Sequence, residues 1–191
     1  MSREHLHTLV ALVENRPGVL NRIVSKVRQR GFNIESLAVG HSEEPGLSRM
    51  TFVVDASLVD TEQMVKQVEK LIDVVHIEDI TNKERDMLAR ELLMVKVKCK
   101  AETRSELLNL VNVYRASVID ITPTSMIIEA SGDTDKLDSL VELLGDFGVI
   151  ETCRTGQIAM LRGPERVGPD AGHQHVLLPH LAGGRAPGGL F

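Results

Sequence analysis

The chain carries one plan twice, and that repetition limits its fold more than any other feature. Phe52-Val53-Val54-Asp55-Ala56-Ser57 is answered by Met126-Ile127-Ile128-Glu129-Ala130-Ser131. Asp60-Thr61 is then answered by Asp133-Thr134, Leu71 by Leu144, and Ile77-Glu78 by Ile150-Glu151, in the same order. Ordered self-similarity with matching element types marks a duplicated unit.

Apolar periodicity fills in each copy. The first reads strand (6–14), helix (17–30), strand (32–41), strand (48–56), helix (60–72) and strand (74–81). The second reads strand (92–100), helix (104–114), strand (117–122), strand (125–131), helix (133–145) and strand (148–158). Asp60 is a helix-starting cap, Gly31 follows a helix end, and Pro45-Gly46 breaks the chain between two strands. Each half is the split β-α-β pattern of a ferredoxin-like sandwich, so the expected class is α+β with two tandem sandwiches. The expected divisions are a first domain at 4–81, a charged connector at 82–91, a second domain at 92–162, and a Pro/Gly-rich tail at 163–191 expected to be disordered. Small sandwiches leave sheet edges uncovered, so a homodimer is expected.

Composition removes several function classes. Net charge is −5, with no Trp, one Tyr and four Phe, which suits neither phosphate-backbone binding nor base stacking. Cys99 and Cys153 have no metal-ligand spacing, and both read as buried thiols in strands. His173, His175 and His180 in the tail lack Cys or carboxylate company, so no metal site is expected. No run reaches the roughly 20 apolar residues of a membrane span, and no signal-peptide stretch follows Met1 to His5. The expected location is the cytoplasm.

The candidate site lies at the first strand–helix turn, Asn15-Arg16-Pro17-Gly18-Val19-Leu20, and at Asn33-Ile34 where the second strand opens. The two asparagines are expected where turn and second strand meet. A helix start offers unpaired N–H groups and partial positive charge to a carboxylate, here from Gly18, Val19 and Leu20. An amide side chain both donates and accepts, so Asn15 and Asn33 suit a zwitterion, while Val19 and Ile34 offer apolar wall. The same residues also fit a plain structural role: Asn15 as a cap, Gly18 as a tight turn, Asn33 in a turn. Glu14, Arg16 and Arg22 nearby read as solvated.

Three strings together, Asn15-x-Pro-Gly-Val-Leu, Arg30-Gly31-Phe32-Asn33-Ile34-Glu35-Ser36-Leu37 and Leu47-Ser48-Arg49-Met50-Thr51, resemble the N-terminal ACT domain of the regulatory small subunit of acetolactate synthase. Leu93-Met94-Val95-Lys96-Val97, Ile119-Asp120-Ile121-Thr122-Pro123 and Arg154-Thr155-Gly156 resemble the second domain of that family. The resemblance spans about residues 5 to 162. It implies a non-catalytic subunit that activates the catalytic subunit and confers feedback inhibition by a branched-chain amino acid, usually valine. It implies an effector held between two ACT domains, by Asn15, Gly18, Val19 and Leu20 of one chain with Asn33 and Ile34 of the other. Thiamine diphosphate, magnesium and FAD would belong to the catalytic partner, with no cofactor on this chain. The loop at 42–49, and Leu47, Ser48 and Arg49 in particular, reads equally as a contact with the catalytic subunit or as a solvated hairpin. An ACT protein serving another enzyme or effector is the alternative. An acylphosphatase-like enzyme lacks its glycine-rich cradle here, and an RNA-binding sheet lacks its aromatics.

Overall fold

The structure, a computed structural model, describes residues 5–57, 60–81 and 87–168. The first half comprises β1 (Leu6–Glu14), α1 (Val19–Gln29), β2 (Asn33–His41), β3 (Leu47–Asp55), α2 (Thr61–Val68) and β4 (Val74–Asp79). The second comprises β5 (Met87–Lys98), α3 (Arg104–Val113), β6 (Ser117–Ile121), β7 (Ser125–Gly132), α4 (Thr134–Gly145), β8 (Val149–Arg154) and β9 (Ile158–Leu161). The sheet orders are β2-β3-β1-β4 and β6-β7-β5-β8, with all pairings antiparallel and β9 added to the start of β5. Two ferredoxin-like α+β sandwiches in tandem are therefore present.

Local chemistry explains the helix starts. The Asp60 and Asp133 carboxylates accept from the Glu62 and Lys136 backbone N–H groups, satisfying donors that the first turn leaves open. Each half then closes a core under its helices. In the first, Leu9, Ala11 and Val13 meet Ile23, Val27, Phe52 and Met64; in the second, Leu93, Val95 and Val97 meet Leu107, Ile128, Leu140 and Leu144.

A third core joins the halves. Val10 and Ile80 of the first pack on Ala159, Leu161 and Val167 of the second. This seam changes three sequence expectations. The connector expected at 82–91 is strand from Met87 on, because Met87 and Ala89 turn into the third core while the β5 backbone pairs with β9; residues 82–86 lie outside the described residues. The single strand expected at 148–158 is two strands, parted at Thr155-Gly156-Gln157. The tail expected from 163 has a seated beginning, with Val167 buried. Residues 169–191, including His173, His175 and His180, lie outside the described residues.

The repeat holds at the level of elements but slips at the level of residues. Matching bulges precede Val13 in β1 and Val97 in β5, and these two residues pair with Val74 and Val149. Against the central strands Ser48 then answers Met126, whereas the matching bulges of β2 and β6 set Leu37 opposite Phe52 and Ile121 opposite Met126, so the repeat match of Phe52 with Met126 holds along that edge and the two frames differ by four positions on the same face. Cys99 is buried, as expected, but Cys153 is exposed, because it stands opposite Met94 on the sheet face that carries no helices.

Candidate functional site

The turn after β1 is built by Pro17 and Gly18. The Val19 N–H reaches back to the Arg16 carbonyl at 3.4 Å, and Gly18 has φ 85° and ψ −9°. Those are the dihedrals of the third residue of a type II turn, which requires positive φ, with proline favoured just before it. Gly18 is thus also the cap residue of α1, and the helix begins at Val19 rather than at Pro17. Asn15 does not cap: no side chain bonds the α1 start. Its own N–H donates to the Gly46 carbonyl at 2.8 Å, which ties the turn to the loop before β3.

The charges around this turn are paired, and the two arginines are also solvated while their carboxylate partners are buried. Arg16 Nε lies 3.1 Å from Glu14, whose carboxylate is buried. Arg22 Nε donates at 2.7 Å to Asp73, also buried, and Asp73 in turn accepts the Glu14 N–H at its carbonyl. Two guanidiniums therefore stand in front of two buried carboxylates, and the turn is close to neutral. What it presents outward is the exposed Asn15 amide, the Gly18 backbone, the partly exposed Leu20 side chain and the outer parts of the paired Arg16 and Arg22 guanidiniums. Val19 is buried in the first core, so its side chain is no ligand wall; the outward apolar surface here is Leu20.

Asn33 and Ile34 lie elsewhere. Asn33 pairs with Asp55, which pairs with Leu6, at one end of the sheet; Glu14 pairs with Leu47 at the other. Eight steps along the strand separate those ends, about 26 Å at 3.3 Å each. Within one chain, then, Asn15 and Asn33 do not meet. Asn33 is exposed and donates its amide to Glu35, while Ile34 is half-buried on the first core. They open β2, which has a hydrogen-bonded neighbour on one side only.

Leu47, Ser48 and Arg49 are engaged within the chain. Leu47 and Ser48 are buried, and Arg49 Nη2 donates to the Ala159 carbonyl at 2.9 Å. Burial lowers the Arg49 pKa, and the nearby charge of Glu43 works against that. The exposed part of the loop is Glu43, Pro45 and Gly46.

Sequence reasoning missed the seam at Gly156. A Cβ there would stand 2.1 Å from the Leu37 carbonyl oxygen, so only glycine lets the second half lie on β2. Next to it the Gln157 N–H donates to Ser36 Oγ at 2.7 Å. Arg154 anchors the same segment, bonding the buried Glu91 and the half-exposed Asp138, and Thr134 Oγ1 donates to Glu91 at 2.6 Å. A glycine interrupting an apolar strand pattern is the signal that was available, since it marks close approach of another backbone. Among the described residues, no group of three or more His, Cys, Asp or Glu is disposed to hold a metal ion, and no helix is long and apolar enough to cross a membrane.

Comparison with known proteins agrees with this layout half by half. Residues 9–76 match the model of the AHAS small subunit-like ACT domain, and residues 90–163 match that of the small subunit of acetolactate synthase. A probable acetolactate synthase small subunit of Archaeoglobus fulgidus is 43% identical over 160 residues, covering 84% of this chain and 99% of the relative. The chain belongs to the acetolactate synthase small-subunit family. The Mycobacterium bovis acetolactate synthase small subunit is 44% identical over 162 residues, 85% of this chain and 95% of its own. The crystal structure of the Thermotoga maritima small subunit superposes with a TM-score of 0.77 at 37% identity, over 84% of this chain and 99% of that one. The Arg154-Thr155-Gly156 seam falls within the matched second domain, and the Asn15–Leu20 turn within the matched ACT domain.

Proposed function

We propose that the chain is the regulatory subunit of an acetolactate synthase, which activates the catalytic subunit and makes it sensitive to a branched-chain amino acid, valine first. The effector lies between two copies. Asn15, the Gly18 backbone and Leu20 of one copy face Asn33 and Ile34 of the other, and Val19 contributes only its backbone.

The observation that carries this reading is the separation of the two asparagines. Antiparallel pairing of two β2 edges around a two-fold axis sets the Asn33 end of one beside the His41 end of the other, the end at which the turn of that chain lies. One edge-to-edge dimer thereby assembles both halves of a zwitterion site that a single chain keeps apart. The effector carboxylate takes the backbone N–H groups at the α1 start, and the amides answer the ammonium and the remaining oxygen. Valine then acts by binding one dimer arrangement better than another, and about 1–3 kcal/mol of such coupling gives 5- to 150-fold regulation. The exposed tip of the 42–49 loop is the surface offered to the catalytic subunit, which supplies thiamine diphosphate, magnesium and FAD.

Titration calorimetry of the chain with valine, leucine, isoleucine and serine tests the site, alongside valine inhibition of the reconstituted enzyme. Asn15→Ala and Asn33→Ala should each weaken valine binding about tenfold or more, as hydrogen bonds to charged groups are lost. Mixing the two variants should restore one intact site per heterodimer. Wild-type affinity in both single variants would refute the site.

A further inference from the structure

The seam between the halves forms an open cavity of about 310 Å3, on the face of the first sheet away from α1. This is within the size range of small-ligand sites, roughly 300–1,000 Å3. Register explains its floor: Ala38 of β2 pairs with Thr51 of β3, and Gly40 pairs with Arg49, so these four share one patch. Small residues leave the space open, and a Cβ on Gly40 would meet nothing within 4 Å. Leu88 of β5 and Ile158 and Met160 of β9 form the apolar wall opposite.

The polar members of this lining are one-sided. Arg49 and Arg90 both line the cavity, with His41 beside them, and among the described residues no Asp or Glu does. Arg49 gives one Nη2 hydrogen to the Ala159 carbonyl, and Arg90 Nη1 donates to the carbonyl of Ala89 at 2.6 Å, so each fork keeps donors for a ligand. Glu43, exposed on its loop, acts on Arg49 from outside the lining. Guanidinium groups beside an apolar wall favour a carboxylate with a hydrocarbon body. Among the described lining residues an ammonium would find no anionic partner, and two cations would repel it.

We propose that this cavity binds a small aliphatic monocarboxylate that lacks an ammonium group. The site is distinct from the amino-acid site at the turn and does not rest on it. It touches both halves, through β2 and β3 on one side and β5 and β9 on the other, so its occupant fastens the seam.

The test is calorimetric titration of the full chain with 3-methylbutanoate, with 3-methylbutanamide and 3-methylbutylamine as neutral and cationic matches of the same shape. The carboxylate should bind at least about tenfold more tightly than either match, and Arg90→Gln should remove about that factor. Ile158→Trp fills the cavity from an exposed position and should abolish carboxylate binding with circular dichroism and melting unchanged. Equal binding of acid and amide, no binding of the acid, or full binding in Ile158→Trp would each overturn the proposal. A valine titration on the same samples separates the sites: valine binding lost in Ile158→Trp would overturn the discrimination against ammonium.

Discussion

β1 and β5 occupy the same central place in the same topology, and they are written differently. Their matching bulges align Val10 with Met94 and Leu12 with Lys96. All four point away from the helices. Val10 and Leu12 are 0% and 2% exposed, whereas Met94 is 37% exposed and Lys96 pairs with Glu151 at 3.2 Å. The cause is cover. In the first half, β9, the start of β5 and Val167 close the second sheet face; the second half has no such lid among the described residues. A sheet covered on both faces shows a continuous apolar run, and one covered on a single face shows alternation. β1 is buried without a break from Thr8 to Glu14, whereas β5 alternates between buried and exposed residues from Arg90 on.

The sharpest way to break this comparison is to place the same charge at both positions. Val10→Asp buries an unpaired carboxylate and should cost about 4 kcal/mol or more, enough to unfold the first half. Met94→Asp should stay within about 0.5 kcal/mol of wild type. Urea unfolding followed by circular dichroism measures both; similar losses would mean that the second face of the C-terminal sheet is also covered. A smaller effect is expected at the seam. Gly156→Ala drives a methyl into the Leu37 carbonyl and should cost about 2 kcal/mol, as overpacking does. Gly145→Ala, near the end of α4 with open space around it, should instead gain about 0.5 kcal/mol. If Gly156→Ala proved neutral in melting experiments, the halves would not be docked through this backbone contact.

The α+β plan was legible because periodicity and caps are local. Alternation gave the strands, and Asp60 and Asp133 start their helices where a capping carboxylate belongs. The seam was not legible, because it depends on which face of one half meets which residues of the other. Nothing local says that Val167 is buried against Val10, or that Arg49 reaches Ala159. The four-position shift of β3 against its central strand has the same origin: the match of Phe52 with Met126 holds beside β2 and β6, and only the pairing with β1 and β5 reveals the shift. At the candidate site the turn itself was readable, since Pro-Gly has one favoured geometry. The remoteness of Asn33 from it was not, because strand order carries that information. The pairing of Arg16 and Arg22 with buried Glu14 and Asp73 was hidden too, Asp73 being 51 residues from Arg22.

The two halves also differ at the turn after the central strand, and the last predicted effect, on ligand affinity, lies there. The β5–α3 turn has no glycine; Thr103 Oγ1 accepts the Lys100 N–H and donates to the Lys100 carbonyl. The β1–α1 turn depends on positive φ at Gly18, with only Arg22 near the space a Cβ would take. Gly18→Asp therefore changes two things, backbone strain and charge, whereas Gly18→Asn changes the first with little of the second. Asn and Asp both tolerate this region better than other residues, so each should cost about 1 kcal/mol of stability. Affinity for valine is where they should part. The Asp carboxylate repels the effector carboxylate by about 1 kcal/mol, so Gly18→Asp should bind roughly fivefold more weakly than Gly18→Asn in the same calorimeter. Equal affinities would mean that Gly18 serves the turn alone and that the effector carboxylate lies elsewhere.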